Sequence, residues 1–289
     1  MIEGNLGILH PGEMGVTVAL AAQNSGLQVY WVSEGRSTGT RSRAEKIVLN
    51  DASSMSNMCG ICSTIICVCP PSAALGIAEQ VALSGYRGMY IDANAISPQH
   101  SQQIGQVLHE AGIRYVDGSI IGPPAWKENT TRLYLSGEQA GQAASCFTAG
   151  PLGVHVIGES IGQASALKMC YAAYTKGTSA LLCAILAAAE ALNVRRELLS
   201  EWSMSAPNLA EDAANRVRWV TAPAWRFEGE MEQIASTFDS VGIPGGFHLA
   251  AAEIYSRLSG YKDLPPPELD EVIASLLNAP LADYSNNSI

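Results

Sequence analysis

The stretch Gly7-Ile-Leu-His-Pro-Gly12-Glu-Met-Gly15 limits the possible folds of this chain more than any other. It follows the first apolar run and opens an alanine-rich apolar segment, residues 16–22. A strand that meets a helix across closely spaced glycines makes a tight turn. The first backbone N–H groups of the helix are then free to face a phosphate. Read as G-x-G-x-x-G, the last two glycines are Gly12 and Gly15, and His10 stands where the first belongs. The context therefore has to carry part of the reading.

Gly26 is a helix stop, and residues 27–32 (Leu-Gln-Val-Tyr-Trp-Val) read as a second strand. Strand, turn, helix and strand fit the length of a βαβ unit. After that second strand comes Ser33-Glu34-Gly35-Arg36-Ser37-Thr38. An acidic residue there suits a free ribose 2′-hydroxyl, as in NAD, and an arginine with nearby hydroxyls suits the 2′-phosphate of NADP. Arg36 flanked by Ser33 and Ser37 favours NADP, with Arg41 and Arg43 adding positive charge. The alternative is a solvated turn with a loose basic tail.

Of the 289 residues, 47% are apolar and 15% charged, the balance of a well-buried globular protein. A net charge of -10 argues against a general affinity for nucleic acid or anionic membrane. The acidic N-terminus does not resemble a signal peptide. The longest apolar stretch, residues 180–189, is too short to span a bilayer and reads as a buried helix. A cytoplasmic location is expected. The seven cysteines need no disulfide framework in a chain of this size. Cys59-x-x-Cys62, with Cys67 and Cys69 nearby, invites a metal reading. Cys67 and Cys69, however, lie in an apolar strand, and Cys59 and Cys62 lack a second spaced pair or a histidine. No metal is expected.

Strand signals fall at residues 6–9, 27–32, 65–69, 88–92, 114–117, 132–136 and 153–157, with helices or loops between most of them. That alternation belongs to an open, mainly parallel sheet covered on both faces. Beyond Gly158 the strand signal stops. Residues 160–193 are helix-compatible, interrupted only by Gly162 and Gly177, and further helices are expected at 197–204, 229–241, 247–258 and 268–277. The fold class is therefore α/β followed by all-α. Residues 1–158 form a Rossmann-type dinucleotide-binding domain and 159–289 an all-helical substrate and dimerisation domain. The polar tail after Pro280 is expected to fray.

Loops beyond the carboxyl ends of strands line the ligand crevice of such folds. Asn94 and Ser97 in Asp92-Ala-Asn-Ala-Ile-Ser-Pro98 are candidates to bind nicotinamide or substrate, or else simply cap a turn. The next strand runs into Asp117-Gly-Ser119-Ile-Ile-Gly122-Pro-Pro124, read as a close-approach loop with Ser119 nearest the substrate. Lys168 stands among apolar neighbours early in the long helix. Desolvated, it is an acid/base group titrating near neutral pH, and otherwise a lysine extending from a helix surface. Thr175 shares its face, with Ala172 between them. Arg226 is either a clamp for a substrate carboxylate or phosphate or one half of an ion pair. His248 is either a pocket residue or part of a capped helix start.

The Gly7–Gly15 pattern, the Asp117–Gly122 segment and the glycine-led helix bearing Lys168 resemble the β-hydroxyacid dehydrogenase and 6-phosphogluconate dehydrogenase-like superfamily. The resemblance is nearer to a branch with its own helical C-terminal domain, through Asp92–Pro98, Ala164–Met169 and Thr175–Gly177. It implies that Lys168 is the catalytic acid/base and that the protein is a homodimer. The candidate substrate-binding residues are Ser119, Gly122, Asn94, Thr175 and Arg226, and the candidate cofactor site is Gly7, His10, Pro11, Gly12, Glu13, Met14, Gly15, Ser33, Glu34, Arg36, Ser37, Pro70 and Asn94. Ala172 replaces the usual substrate asparagine four residues after the lysine, and Ile121-Gly122-Pro123 replaces a serine-glycine-glycine. The activity implied is NADP-dependent hydride transfer on a small hydroxy acid or its oxo counterpart. Alternatives are imine reduction, which relatives perform after replacing the lysine, and non-catalytic NADPH binding.

Overall fold

A computed structural model describes residues 4–278. The expected polar tail after Pro280 lies outside them. The chain divides into two compact units, Met1–Met169 and Cys170–Ile289. The division falls within one helix, eleven residues beyond the expected boundary at 158.

The first unit is built on a sheet of β1 (Asn5–Leu9), β2 (Gln28–Trp31), β3 (Asn50–Asp51), β4 (Cys62–Cys67), β5 (Met89–Asp92), β6 (Arg114–Ile121), β7 (Thr131–Ser136) and β8 (Leu152–Gly158). Their order is β3-β2-β1-β4-β5-β6-β7-β8, parallel except for the antiparallel β6–β7 pair. The chain leaves β1 toward β2 and returns on its other side as β4. This reversal opens a crevice at the carboxyl ends of β1 and β4.

The helices of this unit are α1 (Glu13–Asn24), α2 (Thr38–Lys46), α3 (Met55–Ile61), α4 (Ala74–Leu83), α5 (Pro98–Glu110) and α6 (Ala140–Ala144). Strand alternation divides the side chains between two cores. Leu6 and Ile8 of β1 pack with Val18, Ala22 and Ala140 on one face. Leu9, Ile65, Ile77 and Ile104 pack on the other. The apolar, unalternating β4 and β5 are explained by burial on both faces.

The Asp117–Ile121 segment, expected as a loop, continues β6 as strand. Ser119 pairs with Tyr134 and Ile121 with Arg132 of β7. Two glycine- and serine-bearing positions look loop-like in sequence, but an antiparallel partner supplies their hydrogen bonds. The strand ends at Gly122, whose φ is +125 and where a Cβ would meet the Thr130 carbonyl oxygen at 2.2 Å.

Asp117 is wholly buried and accepts five hydrogen bonds. Oδ1 takes the Ser101 hydroxyl at 2.9 Å and the Ser165 hydroxyl at 2.6 Å. Oδ2 takes the Ser136 hydroxyl at 2.9 Å and the backbone N–H groups of Gly162 and Ser165 at 3.0 and 3.1 Å. The start of α7 (Gln163–Ala191) is thereby tied to the sheet, so its first turns belong to the first unit.

The second unit holds the rest of α7 with α8 (Arg195–Ser205), α9 (Leu209–Trp219), α10 (Ala224–Ser240), α11 (Gly246–Arg257) and α12 (Leu269–Asn278). It is all-helical. Gly177 does not interrupt α7, and its lack of a side chain admits Phe247, whose Cε1 would lie 3.2 Å from a Cβ there. α7 is also long and apolar enough to cross a bilayer, with mean hydropathy 1.3, although half of that window is buried inside the protein. It extends well beyond residues 180–189, the longest uninterrupted apolar run, because polar residues punctuate the rest of it. Lys176 pairs with Glu230 beneath the Phe227 ring, and Arg216 of α9 donates to the Thr175 carbonyl and the Ser179 hydroxyl, both at 2.6 Å.

Replacing Asp117 with alanine leaves three buried hydroxyls and two N–H groups without their acceptor. Charged hydrogen bonds contribute roughly 1.5–3 kcal/mol each, so a loss of more than about 3 kcal/mol is expected. Urea unfolding followed by circular dichroism measures it. Asp117→Asn, with one acceptor oxygen, should fall between this variant and the parent.

Candidate functional site

The turn between β1 and α1 forms without the first fingerprint glycine. His10 takes a left-handed backbone, φ 65, the conformation for which glycine is ordinarily used. Its carbonyl accepts from Gly12 N at 2.7 Å. A Cβ on Gly15 would stand 2.5 Å from that same carbonyl oxygen, so α1 can begin this close to the turn only with glycine there. Gly12 caps α1, and no side chain caps its first N–H groups. This cradle fits a pyrophosphate. Pro11 is buried and Met14 half-buried. Glu13 is exposed and lines an open pocket of about 240 Å³ with Arg43, Lys46 and Trp126. Gly7 lies inside β1, paired with Tyr30 and Ile65, rather than at the turn.

At the end of β2, Arg36 is half-buried with its Nε buried and unpartnered, and burial lowers its pKa. An orphaned guanidinium nitrogen here is the second observation that fits a dinucleotide phosphate. The neighbouring groups have local tasks. Arg41 Nη2 donates to the Ser33 carbonyl at 2.7 Å, Arg43 reaches Thr40 and Pro11, and Ser37 caps α2 by accepting from Thr40 N. Glu34 is exposed, and its N–H donates to the Ser53 carbonyl at 3.1 Å.

Across the crevice, Asn94 is buried and internally engaged. Its Oδ1 accepts from Cys69 N at 2.6 Å and its Nδ2 donates to Asp92 Oδ2 at 2.9 Å. The side chain expected to meet nicotinamide or substrate thus clamps the ends of β4 and β5 together. Burial pushes the Asp92 carboxyl well above the carboxylate range, reinforced by charge on Cys67 and opposed by the Asn94 N–H. Ser97 caps α5, accepting from His100 N. Pro70 is exposed just beyond β4, and its carbonyl accepts from Ala73 N at 3.0 Å.

Lys168 is half-buried on the second turn of α7, and its Nζ donates to the Ile120 carbonyl at 2.8 Å. The lysine is thus drawn toward the end of β6 rather than into solvent. Ser119, in the same strand end, is fully buried, and its hydroxyl has no hydrogen-bond partner.

Three other sequence candidates lie in the second unit. The Thr175 hydroxyl donates back to the Tyr171 carbonyl at 3.2 Å, and Ala172 is buried. Arg226 is exposed, 5.6 Å from the Phe227 ring centroid, and is in no ion pair among the described residues. His248 is buried between the edges of Phe238 and Phe247 with its Nδ1 unpartnered, and burial lowers its pKa.

One convergence has no local signature in the sequence. His10 joins Cys67 and Cys69, their ligand atoms all within 4.8 Å of one another. The signal was divided between two crossover-linked strands, so no local spacing displayed it. Cys59 and Cys62, the pair that spacing did suggest, are pushed up by burial, Cys62 to about 12.

Residues 5–147 match the NAD binding domain of 6-phosphogluconate dehydrogenase, and residues 189–258 match a domain of unknown function, DUF1932. A solved conserved protein of unknown function, described as structurally similar to 3-hydroxyacid dehydrogenases, shares 28% identity. The match covers 89% of this chain and 97% of that one, with a TM-score of 0.66. The 3-hydroxyisobutyrate dehydrogenase of Mycobacterium tuberculosis shares the fold at 15% identity and TM-score 0.70, covering 96% of this chain and all of that one. An imine reductase variant from Myxococcus stipitatus, in complex with NAD+, does so at 17% identity and TM-score 0.53, with the same coverage.

Replacing Asn94 with alanine removes the acceptor of Cys69 N and one donor to Asp92. A loss of roughly 2 kcal/mol is expected, read as a lowered midpoint in thermal unfolding. An unchanged midpoint would show that the clamp does not stabilise the crevice.

Proposed function

We propose that this chain, whose residues 5–147 match the NAD binding domain of 6-phosphogluconate dehydrogenase and whose residues 189–258 match DUF1932, is an NADP-dependent oxidoreductase acting on a small hydroxy acid or its oxo counterpart. The observation that carries the reading is Lys168, whose Nζ is held 2.8 Å from the Ile120 carbonyl at the end of β6. The lysine takes the hydroxyl proton in oxidation and returns it in reduction. Ser119 supports a substrate contact, because a buried hydroxyl without a partner is costly unless something completes it. The internal engagement of Asn94 leaves Ser119 as the better-supported orienting group.

A bound dinucleotide supplies the hydride donor or acceptor. The His10–Gly15 turn holds its pyrophosphate, and Arg36 favours a 2′-phosphate over a free hydroxyl. The test is a paired titration with NADPH and NADH on the parent, Arg36→Ala and Lys168→Met proteins, followed by turnover on hydroxy acids, aldehydes and imines. Arg36→Ala should weaken NADPH binding selectively. Lys168→Met should retain it while losing about 10²–10⁴-fold in turnover. Near-normal turnover in Lys168→Met removes the lysine from the mechanism. Turnover confined to imines reassigns the substrate class.

A homodimer is part of the same proposal. Leu167, Tyr171, Tyr174 and Leu181 are exposed at helical spacing along α7, Tyr174 at 70%. Such a stripe suits the same stripe of a second copy. Tyr174→Glu should convert a dimer into a monomer in sedimentation analysis, and a parent protein that sediments as a monomer would refute this part.

A further inference from the structure

We propose that His10, Cys67 and Cys69 form a binding site for a thiophilic divalent cation, of which Zn²⁺ is the probe of choice, at the crossover between β1 and β4. The first support is geometric. The Cys67 and Cys69 sulfurs are 3.7 Å apart, with the Cys67 thiol donating to Cys69 Sγ. Two thiolates about 2.3 Å from a tetrahedral Zn²⁺ stand roughly 3.8 Å apart, and a thiolate and an imidazole nitrogen roughly 3.6 Å. With all three ligand atoms within 4.8 Å of one another, the site closes on a cation through side-chain adjustment of about an ångström.

The second support is the state of His10. Its Nδ1 is buried without a hydrogen-bond partner, and its backbone holds a left-handed conformation that favours glycine. A strained backbone carrying an unsatisfied buried nitrogen marks a place where something is bound. Orientation is also provided for. Asn94 fixes the backbone of Cys69 through Oδ1, and its Nδ2 lies 3.7 Å from Cys67 Sγ, the kind of N–H···S contact that supports metal thiolates.

Charge balance agrees. Two thiolates neutralise the cation. Asp92 is engaged by Asn94 and is not a ligand, which leaves the fourth position to water.

The experiment uses the reduced, chelator-treated full-length protein. Zn²⁺ is titrated against a chromophoric chelator, and Co²⁺ is titrated with absorption spectra recorded. The expected result is one high-affinity equivalent per chain, with a sulfur-to-cobalt charge-transfer band and the visible bands of a tetrahedral site. Cys69→Ser and His10→Asn should each weaken binding by at least about 10-fold, and Cys59→Ser should not. Asparagine tolerates the left-handed backbone at position 10, and near-ultraviolet circular dichroism identifies the folded variants. Absence of cobalt–sulfur absorption at one equivalent overturns the site. So does unchanged affinity in folded His10→Asn and Cys69→Ser proteins, which would place the binding elsewhere. No dinucleotide or substrate enters the assay, so its failure leaves the oxidoreductase reading untouched.

Discussion

The first unit depends on one buried carboxylate. Asp117 lies where α5, β6, β7 and the start of α7 converge, and five donors satisfy it. An ionised carboxylate is costly to bury unless its lone pairs are filled. Here the donors come from elements far apart in sequence, so the interaction can form only once those elements have assembled. It holds Gly162 and Ser165 against the sheet and thereby fixes the helix turn that carries Lys168. The lysine owes its position at the end of β6 to an acid that never touches it.

A second convergence occupies the crossover between β1 and β4. His10 and Gly15 close the phosphate turn from one side, Asn94 ties Cys69 and Asp92 together from the other, and Arg36 is half-buried at the end of β2. Buried polar atoms left unpartnered, His10 Nδ1 and Arg36 Nε among them, are concentrated there. Stable cores pair such atoms, so their accumulation at strand ends separates a binding surface from a packing surface.

Much of this was legible in the sequence, because apolar runs and glycine punctuation are local signals. The strands and α1 follow from hydrophobic period, and the phosphate turn follows from Gly12 and Gly15 despite the histidine. Other features escaped for identifiable reasons. β3 spans two residues and carries no pattern. α9 carries four charged side chains in eleven residues and buries only Ala213 and Val217. The last part of β6 reads as loop because Gly118 and Ser119 are poor strand formers, and only pairing with β7 overrides that preference.

The sequence by itself determined the class of fold, the dinucleotide turn, Arg36 at the end of β2 and a lysine early in the long helix. These depend on residue type and on spacings of a few positions. Tertiary structure decided which polar groups are used up and which remain to bind. Asn94 and Ser97 look like ligands in the sequence, and they serve as a clamp and a cap. Asp117 looks like part of a substrate loop, and it anchors a helix. His10, Cys67 and Cys69 look unrelated, and they meet. Whether a polar atom is satisfied depends on partners brought from distant parts of the chain, and no local pattern records them.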